Sequence, residues 1–158
     1  MTDELQIRHL TDAMSFRVSR FASINEYLGS KHFRREFGVS LSEWRVLGLV
    51  AEGNPATTRA LRDTLLMDRG LLSRVVKALR SRGLVRSQVC ASDKRQAELF
   101  LTDEGRALHR ACIAFTDNRN KAMASALTAE EQAEFNRLLD VLIASNAALI
   151  KTKEYADD

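Results

Sequence analysis

The stretch 68–102 constrains the fold more than any other part of this chain, because its apolar pattern changes from helical to strand period at a glycine. Leu72, Val75 and Leu79 recur at helical spacing, and Gly83 suits the left-handed conformation that commonly follows a helix end. Beyond Gly83, apolar residues alternate as in strands. The polar side of the helix carries Arg69, Ser73, Arg74, Lys77 and Arg80. The pattern predicts a basic amphipathic helix followed directly by a β-hairpin.

The tip of that hairpin, residues 90–95, is polar and charged, and it contains Asp93, Lys94 and Arg95. A basic helix followed at once by a basic hairpin is typical of a winged helix. The helix has the size of a DNA major groove, and the hairpin tip can reach the adjacent minor groove. The segment therefore indicates a nucleic-acid-binding domain.

Capping residues predict two further helices upstream. Ser40 and Glu43 have the spacing of a capping box, Thr57 can cap a short helix, and Asp68 can cap the basic one. Two helices so close together predict a helix-turn-helix, although the turn at 65–68 lacks the glycine that is common there. Residues 41–102 are therefore expected to form a winged helix-turn-helix.

Long apolar stripes lie on both sides of this domain. They comprise Leu10, Met14, Phe21, Ile24 and Leu28 before it, and Phe135, Leu138, Leu139, Leu142, Ile143, Leu149 and Ile150 after it. Such stripes need a partner in water, and an intertwined homodimer would supply one. We expect a single chain of 1–158 that is mainly α with a small β-wing. Its winged helix-turn-helix would be flanked by N- and C-terminal dimerisation helices at 5–37 and 103–151.

The positive charge of the chain is concentrated between Arg59 and Arg95. That segment contains ten Lys or Arg against three Asp, a net charge of +7, whereas the whole chain carries +3 and the remainder therefore −4. This asymmetry favours a polyanionic partner. The alternative, a winged-helix protein-interaction module without DNA binding, does not explain the cationic segment.

Other classes of protein are disfavoured. No apolar run reaches the roughly 18 residues of a membrane span, and no export signal or disulfide pattern is visible, so a cytoplasmic location is expected. His9, His32 and His109 are scattered along the chain, and no metal-ligand spacing or phosphate loop occurs. We therefore expect neither an enzyme nor a cofactor or metal.

The order of these elements resembles the MarR family of bacterial transcriptional regulators. The similarity is carried by Asp93-Lys94-Arg95 at the wing, by Leu101-Thr102 leading to Gly105, and by Ser73-Arg74 in the basic helix. The resemblance implies a homodimer that binds a pseudo-palindromic operator in double-stranded DNA. It usually implies a repressor that a small molecule releases.

By the same resemblance, Arg95 would enter the minor groove while Asp93 orients basic groups at the wing. Ser73, Arg74 and Lys77 match positions that face the major groove or its phosphates. The full set of expected DNA-binding residues is Thr57, Thr58, Arg59, Arg69, Ser73, Arg74, Lys77, Asp93, Lys94 and Arg95. The chain departs from the family at Gly70-Leu71, where Ser-Thr is frequent.

Two kinds of regulation are open at this point. A small aromatic acid could bind between aromatic walls and a cation drawn from Phe16, Arg17, Arg20, Phe21, Trp44 and Phe115. The favoured alternative is that these rings are core residues and the arginines are surface residues. Oxidation of Cys90, near the cations of the wing, could also disturb DNA contact, whereas Cys112 falls on an apolar helix face.

Overall fold

A computed structural model of the chain describes residues 7–53, 55–91, 94 and 96–150. The helices are a short 3-10 helix at Leu10–Asp12, α1 at Met14–His32, a π-helical turn at Phe33–Phe37, α2 at Leu41–Gly53, α3 at Thr58–Leu65, α4 at Arg69–Ser81, α5 at Asp103–Ala124 and α6 at Ala129–Ile150. The strands are β1 at Ala56–Thr57, β2 at Val85–Val89 and β3 at Ala97–Leu101. The predicted fold class, mainly α with a small β-wing, is confirmed.

The chain divides into two compact units, with the boundary between Ile113 and Ala114. The first unit contains α1 to α4, the sheet and the first half of α5, while the second contains the rest of α5 and α6. Within the described residues, no helix is both long enough and apolar enough to cross a membrane.

The sheet has three antiparallel strands in the order β1-β3-β2. β2 and β3 form the predicted hairpin, with Val85 opposite Leu101 and Val89 opposite Ala97. The sequence did not predict β1, which pairs Ala56 with Leu99. Two residues are too few to show an alternating pattern, so only the pairing with a distant strand defines this element.

The core of the first unit lies between the helices and this sheet. Leu47 and Val50 of α2, Leu79 of α4 and Leu99 of β3 are fully buried, and Leu61 of α3 is nearly so. The predicted inward residues Leu72 and Val75 are also buried, whereas Trp44, Ala51 and Val76 are only partly buried. Burial of these apolar faces fixes the rotation of α4 about its own axis, which decides where its polar side chains lie.

The predicted helix caps are confirmed. The Ser40 hydroxyl accepts from the Glu43 amide at 3.1 Å while the Glu43 carboxylate accepts from the Ser40 amide at 2.7 Å. Thr57 accepts from Ala60 at 3.1 Å, and Asp68 accepts from Leu71 at 2.8 Å. These side chains satisfy amides that the helix cannot pair itself. They therefore set where α2, α3 and α4 begin.

The end of α4 is a Schellman motif. The amide of Leu84 donates to the carbonyl of Leu79 at 2.9 Å, and the amide of Gly83 donates to the carbonyl of Arg80 at 2.9 Å. Gly83 has a φ of +67°, as its place in the sequence predicts. The glycine thus turns the chain directly from α4 into β2.

The turn between α3 and α4 uses a related geometry without a glycine. Leu66 has a φ of +50°, and the amide of the next residue, Met67, donates to the carbonyl of Arg62 at 3.3 Å. The left-handed conformation costs an L-residue roughly 1–2 kcal/mol. Leu66 therefore holds this turn under strain, and because its side chain is 70% exposed, packing offsets little of the cost.

We predict that Leu66→Gly leaves the free energy of unfolding unchanged or slightly higher, because relief of strain offsets the added freedom of the unfolded chain. Leu66→Val should lower it by about 1 kcal/mol, since a β-branched residue tolerates positive φ poorly. Urea unfolding of both variants tests this. An unchanged valine variant together with a clearly destabilised glycine variant would contradict the proposed strain.

The junction between the wing and α5 is a close backbone contact. The Thr102 hydroxyl donates to the carbonyl of Gly83 at 2.6 Å and accepts from the amide of Gly105 at 3.0 Å. The backbone amide of Thr102 also donates to the carbonyl of Leu84 at 3.2 Å. A Cβ atom at Gly105 would lie only 2.0 Å from that same Leu84 oxygen. The Thr-x-x-Gly pattern therefore has a steric cause.

Gly105→Ala should accordingly destabilise the protein by at least about 2 kcal/mol, because either α5 or the backbone at Leu84 must move. Gly48→Ala is the matched control. Gly48 lies within α2 and an added Cβ there meets nothing within 4 Å, so helix propensity should raise stability by roughly 0.5–1 kcal/mol. Urea unfolding of the two variants measures the difference, and equal stabilities would refute the steric account.

Candidate nucleic-acid interface

A groove of about 790 Å³ lies between the start of α3, the polar side of α4 and strands β2 and β3. Its lining residues are Thr58, Arg59, Arg62, Arg69, Leu72, Ser73, Val76, Lys77, Arg80, Ser87, Gln96 and Ala97. Five of these residues are cationic and none is acidic. The groove therefore presents a positive, hydrogen-bonding surface.

The α4 side of the groove follows directly from the packing of that helix. Because Leu72 and Leu79 turn one stripe toward the core, the residues on the adjoining stripe face outward. Within the described residues, no carboxylate forms an ion pair with the α4 cations Arg69, Lys77 and Arg80. Their charges are therefore available to an external anion.

The α3 side contributes Thr58, Arg59 and Arg62. Asp63 lies 3.8 Å from Arg59 and 3.6 Å from Arg62, but all three side chains are at least 46% exposed. Solvent-exposed pairs of this kind contribute little and are easily exchanged. A phosphate could replace Asp63 as the partner of either arginine at small cost.

Five of the ten expected DNA-binding residues line this groove. Thr58, Arg59, Arg69, Ser73 and Lys77 line it. Thr57 lies at the start of α3, where its hydroxyl caps the helix. Lys94 is exposed at the hairpin tip, while Asp93 and Arg95 lie outside the described residues, so their roles stay predictions.

Arg74 is placed differently from the residues that line the groove. It is exposed, and its Nη1 atom would lie 3.7 Å from a Cβ added to Gly70, so it extends back along the first turn of α4. Arg74 is not among the groove-lining residues. The glycine that departs from the family pattern leaves space beside this arginine.

Four polar residues of the groove were not among the expected DNA-binding residues: Arg62, Arg80, Ser87 and Gln96. Arg80 was placed on the polar side of the basic helix but was not assigned to DNA binding. Arg62 had a usable signal, since it follows Arg59 by three positions and so lies on the same face of α3. Ser87 and Gln96 had none, because only the pairing of the hairpin with the rest of the sheet brings them next to α4.

The residues considered for an effector site have separate surroundings. Trp44 stacks on Phe33 with ring centroids 5.5 Å apart and also contacts the His109 ring at 5.5 Å. Arg17 and Arg20 are exposed on α1, as is Phe21, and Phe16 is half-buried. Phe115 belongs to the second unit, where Arg119 lies over its ring at 6.0 Å. Trp44 thus has a packing role, in line with the core interpretation.

Both cysteines are buried. Cys90 is 5% exposed and Cys112 is fully buried. Burial raises the pKa of the Cys112 thiol to about 11, so it stays protonated near neutral pH. The burial of Cys90 weighs against a readily oxidised sensor at the wing, since reaction requires access to the sulfur. Among the described residues, no group of His, Cys, Asp and Glu is placed to hold a metal ion.

We predict that iodoacetamide at pH 8 leaves Cys112 unmodified in the folded protein. With a pKa of about 11, only about one thousandth of this thiol is ionised at that pH. Addition of urea should expose Cys112 and make it react. Mass spectrometry of timed samples follows the reaction, and rapid labelling of Cys112 in native buffer would contradict its burial.

The helix pair α3–α4 and the β2–β3 hairpin define a winged helix-turn-helix protein. Residues 37–96 match the model of the MarR family. The transcriptional regulator HosA of Escherichia coli is 29% identical over 97 residues, which cover 61% of this chain and 72% of that protein. Over its winged helix-turn-helix, the chain is therefore similar to the MarR family of transcriptional regulators.

Solved structures share the fold over most of the chain. The PcaV transcriptional regulator from Streptomyces coelicolor, in complex with its natural ligand, is 23% identical with a TM-score of 0.75, covering 89% of this chain and 99% of PcaV. A mutant MarR from Escherichia coli, complexed with operator DNA, is 22% identical with a TM-score of 0.73, covering 82% of this chain and 93% of that one.

Proposed function

We propose that this protein is a sequence-specific regulator that binds double-stranded DNA as a homodimer at a pseudo-palindromic operator. The cationic groove supports this most strongly, because helix α4 has the width of a major groove and its exposed cations can neutralise phosphates. The fold shared with a MarR protein bound to operator DNA also supports it.

In the proposed complex, α4 lies in the major groove. Ser73 faces the bases, Lys77 and Arg69 contact the bases or nearby phosphates, and Arg74 reaches DNA beyond the groove wall. The start of α3, with Thr57, Thr58 and Arg59, contacts the phosphate backbone. At the wing, Lys94 and Arg95 enter the minor groove and Asp93 orients them.

Exposed apolar surface supports the homodimer. On α1, Ile24 is 52% exposed and Leu28 is 58% exposed, and on α6, Leu138 is 45% exposed and Ile143 is 64% exposed. Stripes of this kind on each unit are typical of subunit interfaces rather than of water-facing helices. Two protomers would present two copies of α4 about one turn of DNA apart, which matches an inverted repeat.

We further propose that the protein is a repressor released by a small aromatic acid. PcaV, a neighbour in fold, is bound to its natural ligand. On this chain, Arg20 lies beside an open apolar concavity of α1 lined by Ser23, Ile24, Tyr27 and Leu28. An exposed guanidinium next to apolar surface suits a carboxylate on a ring.

The experiment is selection of binding sites from random duplex DNA, followed by titration of the selected site against salt concentration. We expect an inverted repeat with half-sites about one helical turn apart and a steep loss of affinity with salt. Absence of both enrichment and salt dependence would favour a protein-interaction module instead.

On the selected DNA, Lys77→Met should flatten the plot of log affinity against log salt by about one unit, because one phosphate contact is lost. Lys121→Met is the control, since Lys121 is exposed on α5 and pairs with Asp117 at 2.6 Å. It should leave both affinity and slope unchanged. A slope that changes equally in both variants would mean that the groove has no special role in binding.

A further inference from the structure

Arg82, which directly follows α4, contacts the region around the start of α2 and does not line the groove. Its Nη1 atom donates to the backbone carbonyl of Gly38 at 2.8 Å and lies 3.9 Å from a carboxylate oxygen of Glu43. Arg82 is absent from the groove lining, whereas Arg80, two residues earlier, is part of it. The two arginines therefore have different environments.

The groups that Arg82 contacts lie at the junction between α1 and α2. Gly38 follows the π-helical turn and has a left-handed conformation, with a φ of +64°. Glu43 is only 15% exposed, and its second carboxylate oxygen is held by the amide of Ser40 at 2.7 Å. Val39, between Gly38 and Ser40, is fully buried. Arg82 thus binds groups that cannot move independently.

This junction is continuous with α1, the helix that has an exposed apolar stripe. An ion pair between Glu26 and Arg45 at 2.5 Å joins α1 to α2, and the buried ring of Phe33, at the start of the π-helical turn that follows α1, stacks on Trp44 of α2. A continuous series of contacts from α1 through Phe33, Gly38 and Glu43 therefore reaches the end of α4 through Arg82.

We propose that Arg82 is a positioning residue that fixes α4 relative to α1, and that it thereby sets the half-site spacing accepted by the dimer. The inference rests on the proposed function, in which α1 joins the two protomers and α4 enters DNA. Arginine suits this role because its guanidinium donates to the Gly38 carbonyl while its charge faces the Glu43 carboxylate, and its planar geometry fixes the direction of the donor more tightly than a lysine ammonium would. If α4 can tilt, the distance between the two copies of α4 in a dimer becomes less well defined.

The test uses Arg82→Met on the selected operator and on versions with one base pair inserted or deleted at the centre. The variant should bind the best spacing about three- to tenfold more weakly, and its preference over the altered spacings should shrink by a similar factor. The salt slope should stay that of the wild type, because no phosphate contact is lost.

Arg80→Met is the matched control on the same helix. It should flatten the salt slope by about one unit while leaving the ratio of affinities between spacings unchanged. If Arg82→Met behaves like this control, Arg82 is a phosphate contact and the inference is wrong. If Arg82→Met changes neither quantity, the inference is equally wrong.

Glu43→Gln provides a second variant in case Arg82→Met folds poorly. Glutamine retains the capping box but removes the charge that faces Arg82, so spacing preference should fall in the same direction by a smaller factor. Arg82→Lys should restore part of the preference. If the wild type does not bind DNA at all, the proposed function itself is wrong. If the wild type binds DNA but these variants keep its spacing preference, only the role of Arg82 is wrong.

Discussion

The close approach of the first turn of α5 to the chain after α4 is the contact on which the rest of the first unit depends. Thr102 joins the carbonyl of Gly83 to the amide of Gly105, and Gly105 has no side chain to hold the two backbones apart. The end of α4, the start of β2, the end of β3 and the start of α5 therefore meet at one point. This meeting sets the angle between α4 and the hairpin, and hence the shape of the groove.

The charges that line the groove do not stabilise the folded protein. Five cations share one concave surface, where like charges repel, and only the weak pairs to Asp63 offset this among the described residues. The buried core beneath α4 supplies the stability that the surface lacks. A surface that keeps unfavourable charge on a rigid support is suited to a polyanion, which removes the repulsion when it binds.

The parts of the fold that depend on local chemistry could be predicted from the sequence. Caps at Ser40, Thr57 and Asp68, and the turn at Gly83, are set by side chains within a few residues, and the structure confirms them. β1 was missed because its pairing is long-range. The left-handed Leu66 was missed because propensity places glycine there.

The candidate site shows the same division. The α4 face could be predicted because helical period alone aligns Arg69, Ser73 and Lys77. The path of Arg74 over Gly70 and the contact of Arg82 with Gly38 depend on tertiary packing, which no local pattern encodes. Asp93 and Arg95 lie outside the described residues, so their assignment still rests on family resemblance.

The proposed function requires duplex DNA to occupy the groove between α3, α4 and the hairpin. The most direct measurement is a map of backbone amide chemical shifts as the selected duplex is added to isotope-labelled protein. We expect the largest changes at Thr58, Ser73 and Gln96, which line the groove. The exposed basic pair Arg34 and Arg35 provides an internal comparison on the π-helical turn. Changes centred on that pair, with the groove amides unmoved, would contradict the claim.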